Sequence, residues 1–278
     1  MLNVQLGPLS LQVSHLLVLL SLVVAAGVGH LAGRRRKAGI VNVLSDMAWA
    51  GLVVARIAFV ATWFELYREA PWSILDIRDG GFSPWAGLTA ALLVAIWHGL
   101  RREALRKPLA LGLSAGVLAW AAMSGVLGTF DKAPRPALPT VALTTLAGEP
   151  TNLAALAQGK PMVVNLWASW CPPCRREMPV LAAAQQRETG VTFVFANQSE
   201  DAATAGRYLS NSALNLANVV LDPGAELGRA VGSTGLPTTL FYDAGGQLAD
   251  THLGELSAAS LASKLNPLRT PTPFSTKE

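Results

Sequence analysis

The chain has 278 residues, of which 51% are apolar and only 14% charged, and its mean hydropathy is +0.36. This composition excludes a protein whose whole chain lies in water and indicates that part of the chain lies in a membrane. The net charge of +4 is uneven, since residues 1–132 carry 12 Lys and Arg against 7 Asp and Glu, whereas residues 133–278 carry 10 against 11. Because the second half has no basic stripe with interleaved aromatic residues, we expect no nucleic-acid partner.

Four apolar stretches in the first half have about the length that crosses a bilayer, which takes about 20 residues of helix. We therefore predict an α-helical membrane domain of four spans over residues 1–130, with the lipid bilayer as its partner. The predicted spans are residues 9–32, 40–64, 84–100 and 108–130.

Basic residues between the predicted spans indicate how the chain is oriented. Residues 34–37 (Arg-Arg-Arg-Lys) follow the first span, and residues 101–107, also rich in Arg and Lys, follow the third. Short loops of this kind stay in the cytoplasm. The loop of residues 65–83 and everything after Asp131 then lie on the opposite side. We predict a multi-pass protein of the inner membrane whose second half faces the periplasm, where disulfide chemistry is expected.

After the spans, the Pro-rich residues 131–139 predict a semi-extended linker. Residues 140–268 alternate strand and helix patterns and predict an α/β domain, large enough for a core of its own. Residues 269–278 predict a disordered tail. The predicted strands are residues 140–146, 162–168, 191–196, 219–221, 238–241 and 247–253, and the helices are residues 172–188, 201–210, 225–231 and 257–265.

The only two cysteines, Cys171 and Cys174, stand directly after one of these strands. If a helix begins near Pro172, Cys171 lies at its N-terminus, where free N–H groups and the helix dipole favour a thiolate. Cys174 then lies one turn later on the same face. A Cys171 thiolate can attack a partner disulfide, and Cys174 can resolve the mixed disulfide that results.

Two other interpretations of the pair remain open. A structural disulfide across so short a loop would constrain little of the unfolded chain. A metal site needs further ligands, and the only histidine in the second half is His252. Thiol–disulfide exchange is therefore the favoured chemistry, without a cofactor or a metal. A copper-binding chaperone that uses both thiolates is the alternative.

Three further segments surround the cysteines, namely residues 146–149 (Leu-Ala-Gly-Glu), 159–161 (Gly-Lys-Pro) and 235–241 (Gly-Leu-Pro-Thr-Thr-Leu-Phe). Together with residues 170–174 (Trp-Cys-Pro-Pro-Cys), they resemble the TlpA/ResA group of thioredoxin-like thiol–disulfide oxidoreductases. The resemblance covers about half of the chain and implies a thioredoxin fold. Because a Pro-Pro pair is common in the reducing members, it also favours a reductase over a disulfide oxidase or isomerase.

The resemblance implies roles for residues around the cysteines. Pro237 is expected in cis, facing the pair, and the Leu236 backbone is expected to pair with a substrate strand. Asn165 occupies the place where thioredoxins keep a buried carboxylate, so proton transfer must come from water or another group. The immediate neighbours Trp170, Pro172 and Pro173 complete the expected active-site surround.

Glu177 matches a glutamate that ResA-like proteins keep near the cysteines, where it would tune the pKa of a thiol. The alternative for Glu177 is a solvated glutamate favoured by the helix dipole. Since the predicted spans contain no cysteine, the chain cannot itself carry electrons across the bilayer. We therefore expect a separate membrane or periplasmic thiol reductant, and a disulfide-bearing periplasmic protein as substrate.

A second resemblance covers about the first 125 residues. Residues 6–9 (Leu-Gly-Pro-Leu), 53–60 (Val-Val-Ala-Arg-Ile-Ala-Phe-Val) and 79–83 (Asp-Gly-Gly-Phe-Ser) resemble the N-terminal part of prolipoprotein diacylglyceryl transferases. The family's histidine after the Gly-Gly stretch is replaced by Trp85, and its later Arg, Asn and Glu signature is absent from residues 115–120. We therefore expect a truncated, degenerate scaffold that anchors the chain rather than a transferase.

Two charged residues within the second predicted span, Asp46 and Arg56, are too far apart along the helix to pair with each other. One interpretation is a docking surface or lipid groove around Arg56 and Asp79. The other is that Arg56 is structural and snorkels to a polar neighbour.

Overall fold

The computed structural model describes residues 3–6, 9–34, 39–68, 71–130 and 136–269. The chain divides into two compact units, Met1–Phe64 with Phe82–Ala133, and Glu65–Gly81 with Pro134–Glu278. The segment Glu65–Gly81 thus belongs to the same unit as the C-terminal half, which the sequence did not predict. Residues 35–37 of the predicted basic loop, residues 131–135 of the predicted linker and the tail after residue 269 lie outside the described residues.

Long helices make up most of the described part of the first unit. They are preceded by an antiparallel hairpin in which residues 3–6 pair with residues 9–12, so residues 9–12 are a strand and not the predicted start of the first span. The elements are β1 (Asn3–Leu6), β2 (Leu9–Gln12), α1 (Val13–Gly33), α2 (Ile40–Thr62), α4 (Pro84–Arg101) and α5 (Glu103–Phe130). The short helix α3 (Phe64–Arg68) follows α2 and from Glu65 onward belongs to the second unit.

Three of the described helices, α1, α2 and α5, are long and apolar enough to cross a membrane. Helix α4 forms where the third span was predicted, but it has only 18 residues, which include His98 and Arg101, and it is not among the three. The predicted helical membrane region is confirmed, whereas its count of four spans is not.

Glycines let the helices of this unit approach closely. A Cβ atom placed on Gly112 of α5 would lie 2.7 Å from the carbonyl oxygen of Ala25 in α1, and one on Gly116 would lie 2.9 Å from the Ala25 Cβ. Helices α2 and α4 meet in the same way, since a Cβ on Gly87 would lie 2.8 Å from the Gly51 carbonyl oxygen. Small residues of this kind are typical of helix packing in membranes, because they let two helix backbones come into van der Waals contact.

The charged residues of α2 have partners on neighbouring segments. The Asp46 carboxylate lies 3.2 Å from Nε2 of His98 on α4. The guanidinium of Arg56, which is buried, lies 5.9 Å from the centre of the Phe82 ring. These contacts account for a structural role of both residues within the unit.

A mixed seven-stranded sheet forms the second unit, in the order β4-β3-β7-β6-β5-β8-β9. Neighbours β5, β6 and β7 are parallel, and the other pairs are antiparallel. The strands are β3 (Leu143–Thr145), β4 (Pro150–Thr151), β5 (Met162–Trp167), β6 (Thr192–Gln198), β7 (Val219–Asp222), β8 (Thr238–Tyr242) and β9 (Leu248–Leu253). The helices are α6 (Leu153–Ala157), α7 (Pro172–Arg187), α8 (Ala202–Asn211), α9 (Glu226–Ala230) and α10 (Ala258–Arg269).

The predicted α/β domain is therefore confirmed, although several of its elements differ from the prediction. The strand predicted over residues 140–146 is only β3, which turns back at once to pair with β4. Helix α10 extends beyond the predicted end at Leu265, and Arg269, predicted to begin the tail, ends this helix in an ion pair with Glu188.

Strand β5 is buried on both faces and separates two apolar layers. Val164 and Leu166 face the layer that includes α6 and α9, whereas Val163 and Trp167 face the layer of α7, α8 and α10. Since side chains alternate along a strand, Asn165 shares the α7 face. The strand thus aims one polar side chain at the helix that carries the cysteines.

We expect Gly112→Leu to destabilise the membrane unit, because the new side chain has no room against Ala25. Overpacking of this kind costs about 1–3 kcal/mol. Thermal unfolding of the full chain in detergent micelles, followed by circular dichroism, should show a lower midpoint. Gly125→Leu in the same helix is the matched control, since no atom lies within 4 Å of a Cβ placed there. Equal midpoints for the two variants would contradict the close packing of α1 on α5.

Candidate redox site

The cysteine pair lies where β5 ends and α7 begins. Helix α7 starts at Pro172, and Cys171 is its N-cap residue, as the sequence predicted. The Cys171 sulfur accepts a hydrogen bond from the backbone N–H of Cys174 at 3.3 Å. Pro172 and Pro173 fit the first helical turn because the N–H that proline lacks would have no partner within the helix. A negative charge on the Cys171 sulfur is therefore stabilised by the helix end.

The two cysteines are close and unequally exposed. They are joined as a disulfide, with their Cα atoms 5.3 Å apart. Cys171 is 3% exposed, Cys174 is fully buried, and the preceding Trp170 is 66% exposed. Cys171 is therefore the less buried of the two, next to a large exposed aromatic side chain.

Glu200 holds the loop that leads into Cys171. Its carboxylate accepts hydrogen bonds from the backbone N–H and the hydroxyl of Ser169, the former at 2.8 Å, and from the amide of Asn197 at 2.6 Å. Glu200 can reach this loop because β5 and β6 are parallel, with Trp167 beside Asn197 at their ends. Sequence reasoning missed Glu200, since no motif signals a carboxylate that lies 31 residues from its partner.

Glu177 is fully buried on α7, one turn after Cys174. One carboxylate oxygen accepts from the Asn165 side-chain amide at 2.7 Å, and the other accepts from the Leu256 N–H at 3.0 Å. The same Asn165 amide also donates to the Thr239 hydroxyl at 3.0 Å. The interpretation of Glu177 as a solvated first-turn glutamate is therefore wrong, because the packing of α7 against β5 and the loop after β9 encloses it.

Burial raises the pKa of Glu177 from 4.5 to about 7, since the charged form loses its hydration. The hydrogen bonds from Asn165 and Leu256 oppose this effect, because they stabilise the carboxylate, while the neighbouring negative charge of Glu255 raises the pKa further. Asn165 has an amide and cannot titrate, so Glu177, one turn after Cys174, is the ionisable group of this pair.

The Leu236–Pro237 peptide bond is cis, as the resemblance implied. Pro237 directly precedes β8, and the register of β8 against β5 sets Thr238 opposite Leu166. Leu236 and Pro237 therefore lie at the same end of the sheet as the C-terminal end of β5, which leads to the cysteines.

A groove of about 380 Å³ runs beside the start of α7. The guanidinium of Arg175 lies 5.7 Å from the centre of the Tyr208 ring, and both line the groove. Arg176, also on its wall, pairs with Glu255 at 2.6 Å. The lining residues are Pro172, Arg175, Arg176, Pro179, Tyr208, Ser212 and Leu214.

Within the part of the chain that the structure describes, no group of three or more His, Cys, Asp or Glu side chains is placed to hold a metal ion. His252, the candidate third ligand in the copper interpretation, lies on β9 with Nε2 3.3 Å from the backbone oxygen of Glu255.

Glu177 should make the stability of the fold depend on pH. Because its pKa is raised in the folded protein, protonated Glu177 stabilises the fold below about pH 4.5, and this contribution is lost as the pH rises through about 7. Glu177→Gln should therefore gain stability relative to the unsubstituted protein between about pH 4.5 and about pH 8, by up to about 3 kcal/mol. Thermal midpoints at both pH values measure the gain, with exposed Glu149→Gln as control. A pH-independent difference would contradict the buried carboxylate.

Two family models match the chain, one for each half. The Redoxin model matches residues 132–265. The prolipoprotein diacylglyceryl transferase model matches residues 2–132. Both resemblances inferred from the sequence are thereby confirmed.

Curated relatives match the second half. The thiol:disulfide interchange protein DsbE of Pseudomonas fluorescens biotype C is 36% identical over 116 residues, which are 42% of this chain and 64% of the relative. The thiol:disulfide interchange protein HelX of Rhodobacter capsulatus is 33% identical over 131 residues, 47% of this chain and 73% of the relative. The chain thus spans slightly less than two thirds of the DsbE relative and more than two thirds of HelX.

A solved thiol:disulfide interchange protein of the thioredoxin family from Chlorobium tepidum is 30% identical, with a TM-score of 0.44, and the match covers 50% of this chain and 98% of the solved one. With the Redoxin match and the identity to HelX, the mixed sheet and the cysteine pair at the start of α7 lead to one assignment. The chain belongs to the thioredoxin-like thiol:disulfide interchange proteins of the Redoxin family.

Proposed function

We propose that the protein is a membrane-anchored thiol–disulfide oxidoreductase that reduces disulfides in other proteins. The observation that supports this most directly is the position of Cys171 at the N-terminus of α7, with its sulfur 3.3 Å from the Cys174 N–H. Relatives named as thiol:disulfide interchange proteins match this half of the chain.

The proposed reaction begins with the reduced pair. The Cys171 thiolate attacks one sulfur of a substrate disulfide, the substrate S–S bond breaks, and the departing thiolate takes up a proton. The Cys174 thiol then gives up its proton and attacks the Cys171 sulfur, the bond between Cys171 and the substrate breaks, and the second substrate thiolate leaves and takes up a proton. The substrate gains two electrons and two protons, and the protein is left with the Cys171–Cys174 disulfide.

Glu177 is proposed to serve the second attack. It lies one turn after Cys174 and is buried, and its raised pKa of about 7 lets it accept or release a proton near neutral pH. In this proposal it influences the ionisation of Cys174, the thiol that has no direct access to water. Asn165 serves by holding one oxygen of the Glu177 carboxylate.

The substrate is proposed to bind along the edge formed by exposed Trp170 and the segment before β8. The Leu236 backbone would pair with an extended substrate strand, with Pro237 fixing the direction of the chain there. Pro172 and Pro173 shape the rim of the same site. The length of β8 and its register against β5 support this arrangement, since they bring both segments to one end of the sheet.

We further infer that the protein is a multi-pass inner-membrane protein with its redox half in the periplasm. The basic residues between the predicted spans support this orientation, which requires α4 to cross the membrane in addition to the three helices that are long and apolar enough to do so. The proposed domains are a membrane anchor over residues 1–130, a linker over 131–139 and a redox domain over 140–268. A separate thiol reductant in the membrane or periplasm would return the pair to the reduced state, because the chain has no further cysteine.

The direction of electron flow follows from the reduction potential of the pair. A reductase should have a potential near that of thioredoxin, about −270 mV, whereas a value near about −120 mV is that of a strong oxidant. The second value would turn the proposal into a disulfide oxidase acting through the same residues.

We expect Cys174→Ser to hold substrate proteins as mixed disulfides on Cys171, because the resolving sulfur is gone. Non-reducing electrophoresis of the tagged full chain from intact cells, followed by mass spectrometry, identifies the trapped proteins. Cys171→Ser is the matched control and should trap far fewer, by about tenfold or more, because the helix N-terminus that favours a thiolate belongs to Cys171 and not to Cys174. Equal trapping by both variants, or none by either, would contradict the proposed roles.

A further inference from the structure

The segment Glu65–Gly81 is packed against the redox domain through a buried carboxylate. Asp79, which is 4% exposed, accepts hydrogen bonds from the hydroxyls of Tyr67 and Ser257, both at 2.8 Å. Its second oxygen accepts from the Gly81 N–H at 3.0 Å. Tyr67 is itself only 1% exposed. A buried charge held by several donors is costly to disturb, since removal of one partner leaves another without its bond.

Ser257 is more than a contact point, because it stands at the start of α10. Its hydroxyl oxygen accepts from the Ser260 N–H at 3.1 Å, while its hydrogen is donated to Asp79. A negative charge at this end of the helix is also favoured by the helix dipole. Asp79 therefore fixes both the side chain of Ser257 and the point at which the helix begins.

The residue before Ser257 contacts the redox site. The Leu256 N–H donates to Glu177 at 3.0 Å, and Leu256 itself is almost fully buried. The next residue back, Glu255, forms an ion pair with Arg176 on α7 at 2.6 Å. Two consecutive residues of the loop after β9, Glu255 and Leu256, thus contact α7, and the next residue, Ser257, joins the same loop to Asp79.

We propose that Asp79 is a positioning residue of the redox site, which acts by holding Ser257 so that the adjacent Leu256 amide stays on the Glu177 carboxylate. This inference rests on the proposed thiol–disulfide exchange and adds to it a role for the segment Glu65–Gly81. The segment Glu65–Gly81 is then an intramolecular partner of the redox domain within their common unit.

The effect has a definite direction. The Leu256 hydrogen bond stabilises the charged form of Glu177 and lowers its pKa, so weakening it should raise that pKa above its present value. The charged groups around Glu177 are Glu255, whose carboxylate raises the pKa, and Arg176, which is paired with Glu255. At the other end of the network, Tyr67 contacts Asp79 directly, and burial lowers the pKa of His252 while the Asp79 charge is among the groups that oppose this effect.

The test measures the rate at which the reduced full chain, in detergent, reduces a small aromatic disulfide between about pH 5 and 9. In Asp79→Asn the midpoint of the pH profile should move to higher pH by about half to one unit, because a charge-assisted hydrogen bond is weakened. Ser257→Ala should move it in the same direction. Asp243→Asn is the matched control, since Asp243 accepts N–H bonds in the distant turn before β9.

A double variant separates this route from any other. When Glu177→Gln is already present, adding Asp79→Asn should leave the pH profile unchanged. A shift that persists in this double variant overturns the inference, because it would have to come from another titrating group such as His252. Amide hydrogen exchange of the peptide that contains Leu256 should also be faster in Asp79→Asn than in Asp243→Asn. If the unsubstituted chain reduces the disulfide normally and the pH profile of Asp79→Asn is not shifted, only this inference is overturned. If the unsubstituted chain does not reduce the disulfide at all, the proposed function itself is overturned.

Discussion

The hydrogen bond from the Cys174 N–H to the Cys171 sulfur is the interaction on which the proposed chemistry depends. The first two residues of α7 are Pro172 and Pro173, which have no N–H to donate. Cys174 therefore supplies the first backbone donor that the helix offers to its N-cap. The positive end of the helix dipole and this N–H group therefore both act on the Cys171 sulfur, and the end of β5 determines where that sulfur lies.

Around this pair, the domain places the proposed attacking sulfur at the start of α7, beside exposed Trp170, and encloses Cys174 and Glu177 in its interior. Glu200 fixes the loop before Cys171 from the side of β6, and Glu177 lies below the pair between β5 and the loop after β9. The pKa of Glu177 is near neutral because burial opposes its charge more strongly than its hydrogen bonds support it. The pH response of the site therefore depends on segments that lie far apart in the sequence.

The sequence was sufficient for the parts of the site that depend on local rules. The spacing of the cysteines, the prolines between them and the apolar strand before them predicted the start of α7 and Cys171 at its N-terminus. The sequence was insufficient where the burial of a side chain depends on contacts between residues that are far apart in the chain. A glutamate in the first turns of a helix is usually solvated, and only the contacts of α7 with Asn165 and Leu256 bury Glu177. For the same reason, nothing in the sequence joined Asp79 to Ser257, which is 178 residues away.

The central claim is that Cys171 reacts as the ionised thiol, and its alkylation tests this most directly. The fully reduced chain would be treated with iodoacetamide at neutral pH, and mass spectrometry would follow the modification of Cys171 and Cys174 over time. The account predicts that Cys171 is modified about tenfold faster or more, because the N-terminus of α7 favours its thiolate and it is the less buried of the two. Equal rates, or faster modification of Cys174, would contradict it.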